Sequence, residues 1–294
     1  MTNARDFARR CVPMGTVARL LIGFGTLALC ACGSNNDSDK NAGSSAGSSS
    51  SLGGGGGTGG GAPVQCTTTA EPSELLAVPA GDFLMGCNEA VDTACDEDEK
   101  PQHTVTLSAF SIERTEVNQA QFNACLMDGK CDLPTCEWEC EHAEYPAWCV
   151  TAKHAQQYCA WAGRRLPTEA EWEKAARGPD GAIFPWGDGA ASCDLANMAG
   201  CGDSAKPAGS LEAGASPYGA LDMAGNMVEM VADRYDEAYY AASPSTDPTG
   251  PETGKRYVGR GGGFKSETKW VRASKRDWYD DDDAAGSLGF RCAQ

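Results

Sequence analysis

The chain has 294 residues, fifteen cysteines and a formal net charge of −17, so its length allows one large domain or two small ones. Such an acidic chain is not expected to bind nucleic acid or to adsorb directly to anionic lipid, whereas cations and basic ligands suit it better. Solubility alone is the commoner reason for a large negative charge.

Residues 1–31 have the pattern of a signal peptide, because arginines precede an apolar run at 20–31 that is too short to span a bilayer. Leu-Cys-Ala-Cys at 29–32 resembles a bacterial lipobox, which predicts cleavage before Cys32 and lipid on its sulfur. An ordinary signal peptide cut nearby is the alternative. Loss of 1–31 removes four arginines and one aspartate and leaves a charge near −20. Residue 33, which follows Cys32, is glycine and not the aspartate that retains a lipoprotein in the inner membrane. The resemblance therefore implies export to the outer membrane where the cell has one.

Residues 32–65 are rich in glycine and serine and predict a flexible tether, which as a coil spans on the order of 30 Å. The glycine runs are not followed by Lys-Ser/Thr, so they do not predict a phosphate-binding loop. The folded domain is expected at 66–294. Membrane contact is therefore expected through the lipid anchor alone.

Twelve cysteines lie in 66–294, and an even count in an exported chain indicates disulfides. Zinc is the weaker interpretation, because there is no pair of Cys-x-x-Cys motifs and the chain has three histidines. Short separations predict the pairs Cys87–Cys95, Cys125–Cys131 and Cys193–Cys201. The pairing of the remaining cysteines of the loops stays open: Cys66, Cys136, Cys140 and Cys149.

The first elements are short. Residues 76–86 predict two strands around a Pro-Ala-Gly-Asp turn, and the alternation over 101–112 predicts one strand. A helix is expected over 118–127, and the cysteines and acids of 128–149 indicate a disulfide-linked insert.

Residues 151–178 predict a pair of helices. The first ends at Gly163, which can adopt the left-handed conformation that closes a helix. The extended segment before Pro167 leads to Thr168, which can form a capping box with Glu171. Trp172 and two following alanines form the apolar face of the second helix.

Several of these segments resemble one family. Arg-Leu-Pro-Thr-Glu-Ala-Glu-Trp-Glu at 165–173 is similar to a signature of the formylglycine-generating enzyme (sulfatase-modifying factor) family. Further matches follow in the family's order at 184–188, 193–197, 216–230, 260–264 and 286–292. The resemblance covers about 76–293. It implies an irregular, loop-rich, disulfide-stapled α+β fold related to the C-type lectins, and it implies a Cys159–Cys292 bridge.

The family's oxidases bind copper(I) with two cysteines between the Gly-Gly-Ser segment and the closing Gly-Phe-Arg-Cys. In this chain the interval 263–291 contains no cysteine, and Gly263 stands where the family has serine. Because soft thiolates are what hold copper(I), the sequence predicts that copper is not bound there and that formylglycine is not made by that mechanism.

Calcium is the cofactor that the resemblance favours. Asn197 matches one family calcium site, while Asn226, the carbonyl of Met227 and Glu229 match another. The alternative is that the side chains satisfy turn amides, since the family's two tryptophans beside this glutamate are missing. The three histidines lack ligand spacing with a carboxylate, so iron is not expected.

The resemblance also implies a ligand groove near the closing segment, lined by Trp270, Arg272, Arg276, Trp278 and Tyr279. The acidic run at 280–283 would be its rim, or simply a solvated loop. Our first hypothesis is a lipid-anchored domain that binds a peptide, protein or glycan. The second is an oxidoreductase of the same family with an atypical metal site, and the third is a structural envelope component.

Overall fold

The structure, a computed structural model, describes residues 70–134, 136, 140 and 142–294. The predicted signal peptide, Cys32, the tether and Cys66 lie outside these residues, so their predictions stay untested. The described residues belong to one unit that spans 62–294. Among them there is no helix with the length and apolar character needed to cross a membrane.

Two small antiparallel sheets form the N-terminal half. Strand β1 (Leu75–Val78) pairs with β4 (Phe110–Glu113), and β2 (Gly81–Met85) pairs with β3 (His103–Leu107). The two strands predicted around the Pro-Ala-Gly-Asp turn are therefore present, but they belong to different sheets.

The prediction of one continuous strand over 101–112 is wrong, because the chain changes sheets between β3 and β4. The Asp247 carboxylate accepts the backbone N–H of Ser108 at 2.7 Å and its hydroxyl at 2.8 Å. Asp247 thus takes over the hydrogen bonds that a continued strand would make at this corner.

A four-stranded sheet lies in the C-terminal half, in the order β7-β6-β5-β8. Its strands are β5 (Val228–Arg234), β6 (Arg256–Arg260), β7 (Asp277–Asp280) and β8 (Leu288–Gly289). The β7–β6–β5 pairs are antiparallel, while β5 and β8 are parallel. β7 is the edge strand, and the loop of residues 261–276 joins it to β6.

Three helices pack against these sheets: α1 (Gln119–Met127), α2 (Ala152–Trp161) and α3 (Glu169–Arg177). Each begins with a capping box, in which the N-cap side chain accepts a backbone N–H three residues on. The predicted box is confirmed: Glu171 N–H donates to Thr168 Oγ1 at 3.2 Å, and Thr168 N–H donates to Glu171 Oε2 at 2.8 Å. The predicted helix pair is likewise confirmed.

Helix α3 is buried along its whole length, polar residues included. Trp172 is 0% exposed in the main core, and its indole N–H donates to Glu229 on β5 at 2.8 Å. Buried acids of the same helix pair with arginines from β6 and the following loop: Glu173 with Arg260, and Glu169 with Arg276. The helix that carries the family signature is therefore the centre of the domain.

Disulfides hold the loops. The structure contains Cys87–Cys95, Cys125–Cys131, Cys193–Cys201 and Cys159–Cys292, with Cα separations between 5.2 and 5.7 Å. A fifth bond, left open by the sequence, joins Cys136 to Cys149, and Cys140 is also disulfide-bonded. Short strands, short helices and long stapled loops together confirm the irregular α+β architecture.

Candidate functional site

The loop at 263–276 is the first part of the candidate site, because it occupies the interval where the family's oxidases hold copper. Gly263 N–H donates to Ser266 Oγ at 3.0 Å, and Ser266 N–H donates back to the Gly263 carbonyl at 2.8 Å. The Ser266 carbonyl accepts from Ala199 N–H at 2.9 Å. Ser266 therefore closes a turn and ties this loop to the segment after Asn197.

Aromatic side chains flank this turn. Phe184 and Trp186 stack with their ring centroids 5.0 Å apart and their planes 6° apart. Trp270 is half-buried, with Lys275 Nζ 4.7 Å and Lys269 Nζ 5.4 Å from its ring centroid. These side chains surround a small apolar cluster that includes Val271. The loop thus presents aromatic rings and amines, not thiols.

Two of the predicted groove residues are not on a surface. Arg272 is 2% exposed and holds both oxygens of Glu99 at 2.7 Å and Asp92 at 2.8 Å. Arg276 is 0% exposed and donates to Glu169 at 2.8 and 3.1 Å. The prediction that these arginines line a groove is wrong, because buried guanidinium groups need carboxylates around them and these have them.

Trp278 and Tyr279 are half-buried on edge strand β7. The Arg256 guanidinium lies 3.4 Å from the centre of the Trp278 ring. The Tyr279 ring covers Gly259 on the next strand, where an added Cβ would stand 2.5 Å from the ring. The two aromatic residues therefore cover opposite faces of the sheet and do not line one groove with Trp270.

The acidic run at 280–283 is occupied by internal contacts. Asp280 pairs with Arg256 at 3.1 Å, and Asp281 pairs with Arg234. The Asp283 carboxylate accepts the backbone N–H of Asp280 at 2.8 Å. Charges on an edge strand and capped edge amides discourage pairing with another chain. These contacts favour the solvated-loop interpretation over a binding rim.

Asn197 keeps an oxygen available for a cation. Its Nδ2 donates to the Ser204 carbonyl at 3.1 Å and to Asn226 Oδ1 at 3.0 Å. Its Oδ1 is buried and has no hydrogen-bond partner within the described part of the chain. A buried amide oxygen beside backbone carbonyls fits the oxygen ligands that Ca²⁺ takes.

Asn226, a predicted calcium ligand, makes hydrogen bonds through both side-chain atoms. Its Oδ1 accepts from Lys206 N–H at 2.8 Å as well as from Asn197, and its Nδ2 donates to Glu116 at 2.6 Å. Its φ of 59° is a left-handed conformation that asparagine tolerates. These contacts fit the alternative interpretation, in which Asn226 satisfies turn amides, and its role as a calcium ligand stays a prediction.

Glu229, the other predicted acidic ligand, lies among carboxylates that the sequence reasoning missed. Both of its oxygens accept from Arg291, at 2.6 and 2.7 Å. Burial raises the pKa of Glu116 well above its usual value, and the carboxylates of Asp222 and Glu229 raise it further. Burial likewise raises the pKa of Asp222.

The carboxyl groups of Glu116, Asp222 and Glu229 are buried near Arg291, and a hard cation bound among them would offset the burial that raises the pKa of Glu116 and Asp222. Met227 borders this cluster, since its N–H donates to Glu116 at 2.9 Å. The signal that could have found Asp222 is its place inside the matched family segment at 216–230.

Copper does not fit this loop. The interval 263–291 offers no thiol, and the Ser266 hydroxyl is already bound within its turn. A thioether lies near: the Thr268 hydroxyl is 3.8 Å from Met198 Sδ. One thioether does not replace the pair of thiolates that hold copper(I) in the family's oxidases.

A cleft of about 610 Å³ lies elsewhere, next to the segment between α2 and α3. Arg165 and Glu171 on its wall hold each other through two hydrogen bonds of 2.6 Å. Because these charged groups are paired with one another, the cleft does not present a free binding group at this point.

This domain has an irregular α+β fold with a buried, capped helix and a four-stranded sheet. That is the fold of the formylglycine-generating-enzyme class. Residues 62–294 match the sulfatase-modifying factor enzyme 1-like domain, and the chain belongs to this family.

Curated relatives include formylglycine-generating enzymes and hercynine oxygenases. The chain is 31% identical over 281 residues to the formylglycine-generating enzyme of Thermomonospora curvata, covering 74% of this chain and 92% of that protein. It is 30% identical over 251 residues to the hercynine oxygenase of Mycolicibacterium smegmatis, covering 68% of this chain and 56% of that protein.

Solved structures agree with the fold. PvdO from Pseudomonas aeruginosa superposes with a TM-score of 0.65 at 26% identity, covering 79% of this chain and 98% of that one. Treponema denticola variable protein 1 gives a TM-score of 0.61 at 20% identity over 74% and 94% of the two chains, which shows the fold alone.

Proposed function

We propose that this chain is an exported, lipid-anchored member of the family whose domain binds a peptide, protein or glycan and does not generate formylglycine by the copper mechanism. The observation that carries the proposal is the loop at 263–276. Where a copper oxidase needs two thiolates, this loop has a serine turn that is fully hydrogen-bonded.

The binding surface that we propose consists of Trp186 and Trp270, with the amines of Lys265 and Lys269 at its border. Trp186 and Trp270 are half-buried, and Lys269 is exposed. Amphipathic aromatic rings with nearby cations are typical of recognition surfaces, because they supply contact area at a low cost in side-chain entropy. Arg272 holds the backbone of this loop, since its Nε donates to the Lys269 carbonyl at 2.9 Å.

Calcium is proposed as a structural cofactor. Asn197 would bind one ion through its unpartnered oxygen, and Asp222 and Glu229, with Glu116 beside them, would bind another. The ion would supply positive charge that orders the loops carrying these residues. No catalytic role follows from it.

An oxidoreductase of the same family is the second candidate, and the relatives favour it. Formylglycine-generating enzyme and hercynine oxygenase both match this chain at about the same identity. This function requires a metal site built without thiols between residues 202 and 291.

One experiment separates the two candidates. The purified full-length chain is incubated with a sulfatase-motif cysteine peptide, oxygen and copper(I), and mass spectrometry follows conversion of cysteine to formylglycine. We expect no conversion above a copper-only control. Conversion above that control would reject the binding-module proposal. In parallel, Trp270→Ala should lose binding on peptide and glycan arrays, while Trp161→Ala, on helix α2, should keep it.

A further inference from the structure

The loop between β2 and β3 brings two sulfur atoms and a carboxylate together. Asp92 Oδ2 lies 3.3 Å from Cys87 Sγ, and Cys95 Sγ lies 3.2 Å from the Asp92 carbonyl oxygen. Ligand atoms of these three residues all lie within 4.8 Å of one another. In the oxidised chain the two sulfurs are bonded to each other, with Cα atoms 5.7 Å apart.

Contacts other than the disulfide hold both ends of this loop. Cys87 N–H donates to the Glu99 carbonyl at 2.8 Å, and the Glu99 carboxylate is bound by Arg272 through two hydrogen bonds of 2.7 Å. Asp96 pairs with Lys275 at 2.7 Å. Because these contacts do not depend on the sulfur–sulfur bond, the two cysteines are expected to stay adjacent when that bond is opened.

The carboxylate is also fixed in place. Asp92 Oδ1 accepts the backbone N–H of Ala94 at 2.9 Å, and Asp92 Oδ2 accepts from Arg272 at 2.8 Å. A carboxylate offers about four lone-pair sites, so both oxygens can still take a further partner. Arg272 Nη1 is itself 3.5 Å from Cys87 Sγ.

We propose that reduction of the Cys87–Cys95 bond converts this loop into a Zn²⁺ site with two thiolates and the Asp92 carboxylate as ligands. A dithiol reductant becomes a disulfide as the two protein thiols form. Zn²⁺ then displaces one proton from each thiol, and these two protons pass to the solvent. Cys95 is half-buried, which gives the reductant access to its sulfur.

The donor set and the charge favour Zn²⁺. Zinc takes thiolate sulfur at about 2.3 Å and carboxylate oxygen at about 2.0–2.2 Å, and with three protein ligands it keeps a fourth position open. Two thiolates and a carboxylate carry three negative charges, which favour a divalent cation; the Arg272 guanidinium beside them is shared between Asp92 and Glu99. Copper(I) prefers soft sulfur alone, so the carboxylate argues for zinc.

This site would adjoin the loop at 263–276, because Arg272 of that loop contacts Asp92. It is separate from the proposed calcium ligands and does not rest on the proposed function. Oxidised and reduced forms of the chain would then differ in metal content, with the disulfide protecting the loop in an oxidising compartment.

The test uses Co²⁺ as a spectroscopic substitute for Zn²⁺. The full-length chain, oxidised or reduced with dithiothreitol and desalted without oxygen, is titrated with Co²⁺ and then with Zn²⁺. Dithiothreitol also opens the other disulfides, so the reduced parent chain is compared with the reduced Cys87→Ser, Cys95→Ser chain. We expect a thiolate-to-cobalt absorption band that disappears with Zn²⁺ and that saturates at one more Co²⁺ per chain in the parent. The oxidised chain should show no band.

Three variants make the test specific. Cys87→Ser with Cys95→Ser should lose one equivalent of bound Co²⁺, and Cys193→Ser with Cys201→Ser should keep that equivalent. Asp92→Asn, which retains the disulfide, should weaken Zn²⁺ binding by more than the roughly 10–100-fold that loss of an outer-shell partner costs. Circular dichroism reports the fold of each sample.

Several outcomes would overturn the proposal. They are a reduced chain that stays folded without the band, a reduced chain that unfolds, an equal band in the oxidised chain, and equal Co²⁺ binding with and without Cys87 and Cys95. Unchanged binding in Asp92→Asn would reject the carboxylate ligand. Binding of copper(I) with no binding of Zn²⁺ would reject the assignment to zinc.

Discussion

Arg291 and Glu229 form a buried bidentate ion pair that joins the C-terminal segment to strand β5. Arg291 Nη2 lies 2.6 Å from Glu229 Oε1, and its Nε lies 2.7 Å from Oε2. The side chains are 0% and 1% exposed. Arg291 also donates to the carbonyls of Glu113 and Leu221. One guanidinium thus connects three segments that are far apart in the sequence.

We expect Glu229→Met to lower the free energy of unfolding by about 3–5 kcal/mol, because it leaves a buried guanidinium without its carboxylate. Urea denaturation measures this loss. Glu229→Met with Arg291→Met should be less destabilising than the sum of the single changes. Lys153→Met breaks the exposed pair with Asp132 and should stay within about 0.5 kcal/mol of the parent. Equal losses in the buried and exposed pairs would contradict this account.

Asp233 should make the domain less stable as the pH rises. The pKa of Asp233 is raised to about 8, mainly by burial and also by the carboxylates of Glu169 and Glu171. The hydrogen bond from the Glu169 backbone N–H and the Arg276 guanidinium act in the opposite direction. Between about pH 4 and pH 8 the folded chain holds a proton here that the unfolded chain has released, so unfolding is increasingly favoured.

Urea midpoints at pH 5 and pH 8.5 test this, with Asp233→Asn as the variant that cannot ionise. We expect the fall in stability between the two pH values to be smaller in Asp233→Asn than in the parent. Asp132→Asn, at an exposed carboxylate whose pKa is lowered by Lys153, should leave the fall over this range unchanged. A parallel pH dependence of parent and Asp233→Asn would show that Asp233 is ionised in the folded chain.

Gly259 is required by the ring of Tyr279. A Cβ at this position would stand 2.5 Å from the Tyr279 ring and 2.9 Å from Val228. We expect Gly259→Ala to cost about 1–3 kcal/mol through overpacking. Gly189→Ala is the matched control, because its Cβ would meet only the Trp186 ring at 4.0 Å. Thermal unfolding compares the two, and equal midpoints would contradict the predicted contact.

Removal of calcium should lower the melting temperature of the domain. The reason is that Asn197 Oδ1 and the carboxylates near Glu116 would lose the charge that satisfies them. The measurement compares calcium with a chelator. Asn197→Ala should reduce the chelator effect, and Asn123→Ala on helix α1 should not. Identical melting with calcium and with chelator in the parent chain would contradict a structural calcium site.

Lipid attachment should depend on Cys32. Cys32→Ser is expected to abolish incorporation of labelled fatty acid and to release the chain into the aqueous phase of a detergent partition. Cys30→Ser keeps Cys32 and should remain labelled. Labelling that persists in Cys32→Ser and vanishes in Cys30→Ser would move the modification site.

Local sequence signals determined several parts of this protein. The capping box at Thr168 and the short disulfides, such as Cys87–Cys95, involve residues close in the chain, so their geometry follows from residue type and spacing. The order of the matched motifs identified the family. The same motifs located the interval 263–291, in which the two thiols of the family's oxidases are missing. Strand partners were predicted less well, because the pairing of β1 with β4 joins segments about thirty residues apart.

The tertiary structure decided the environment of the charged residues. Arg272 and Arg276 are arginines near aromatic residues in the sequence, which is typical of a binding surface as much as of a core. Their burial depends on the meeting of the 272–276 segment with Glu99 and Glu169, which lie more than 100 residues earlier. Desolvation and the availability of an opposite charge are set by distant segments, and only the folded chain brings those together.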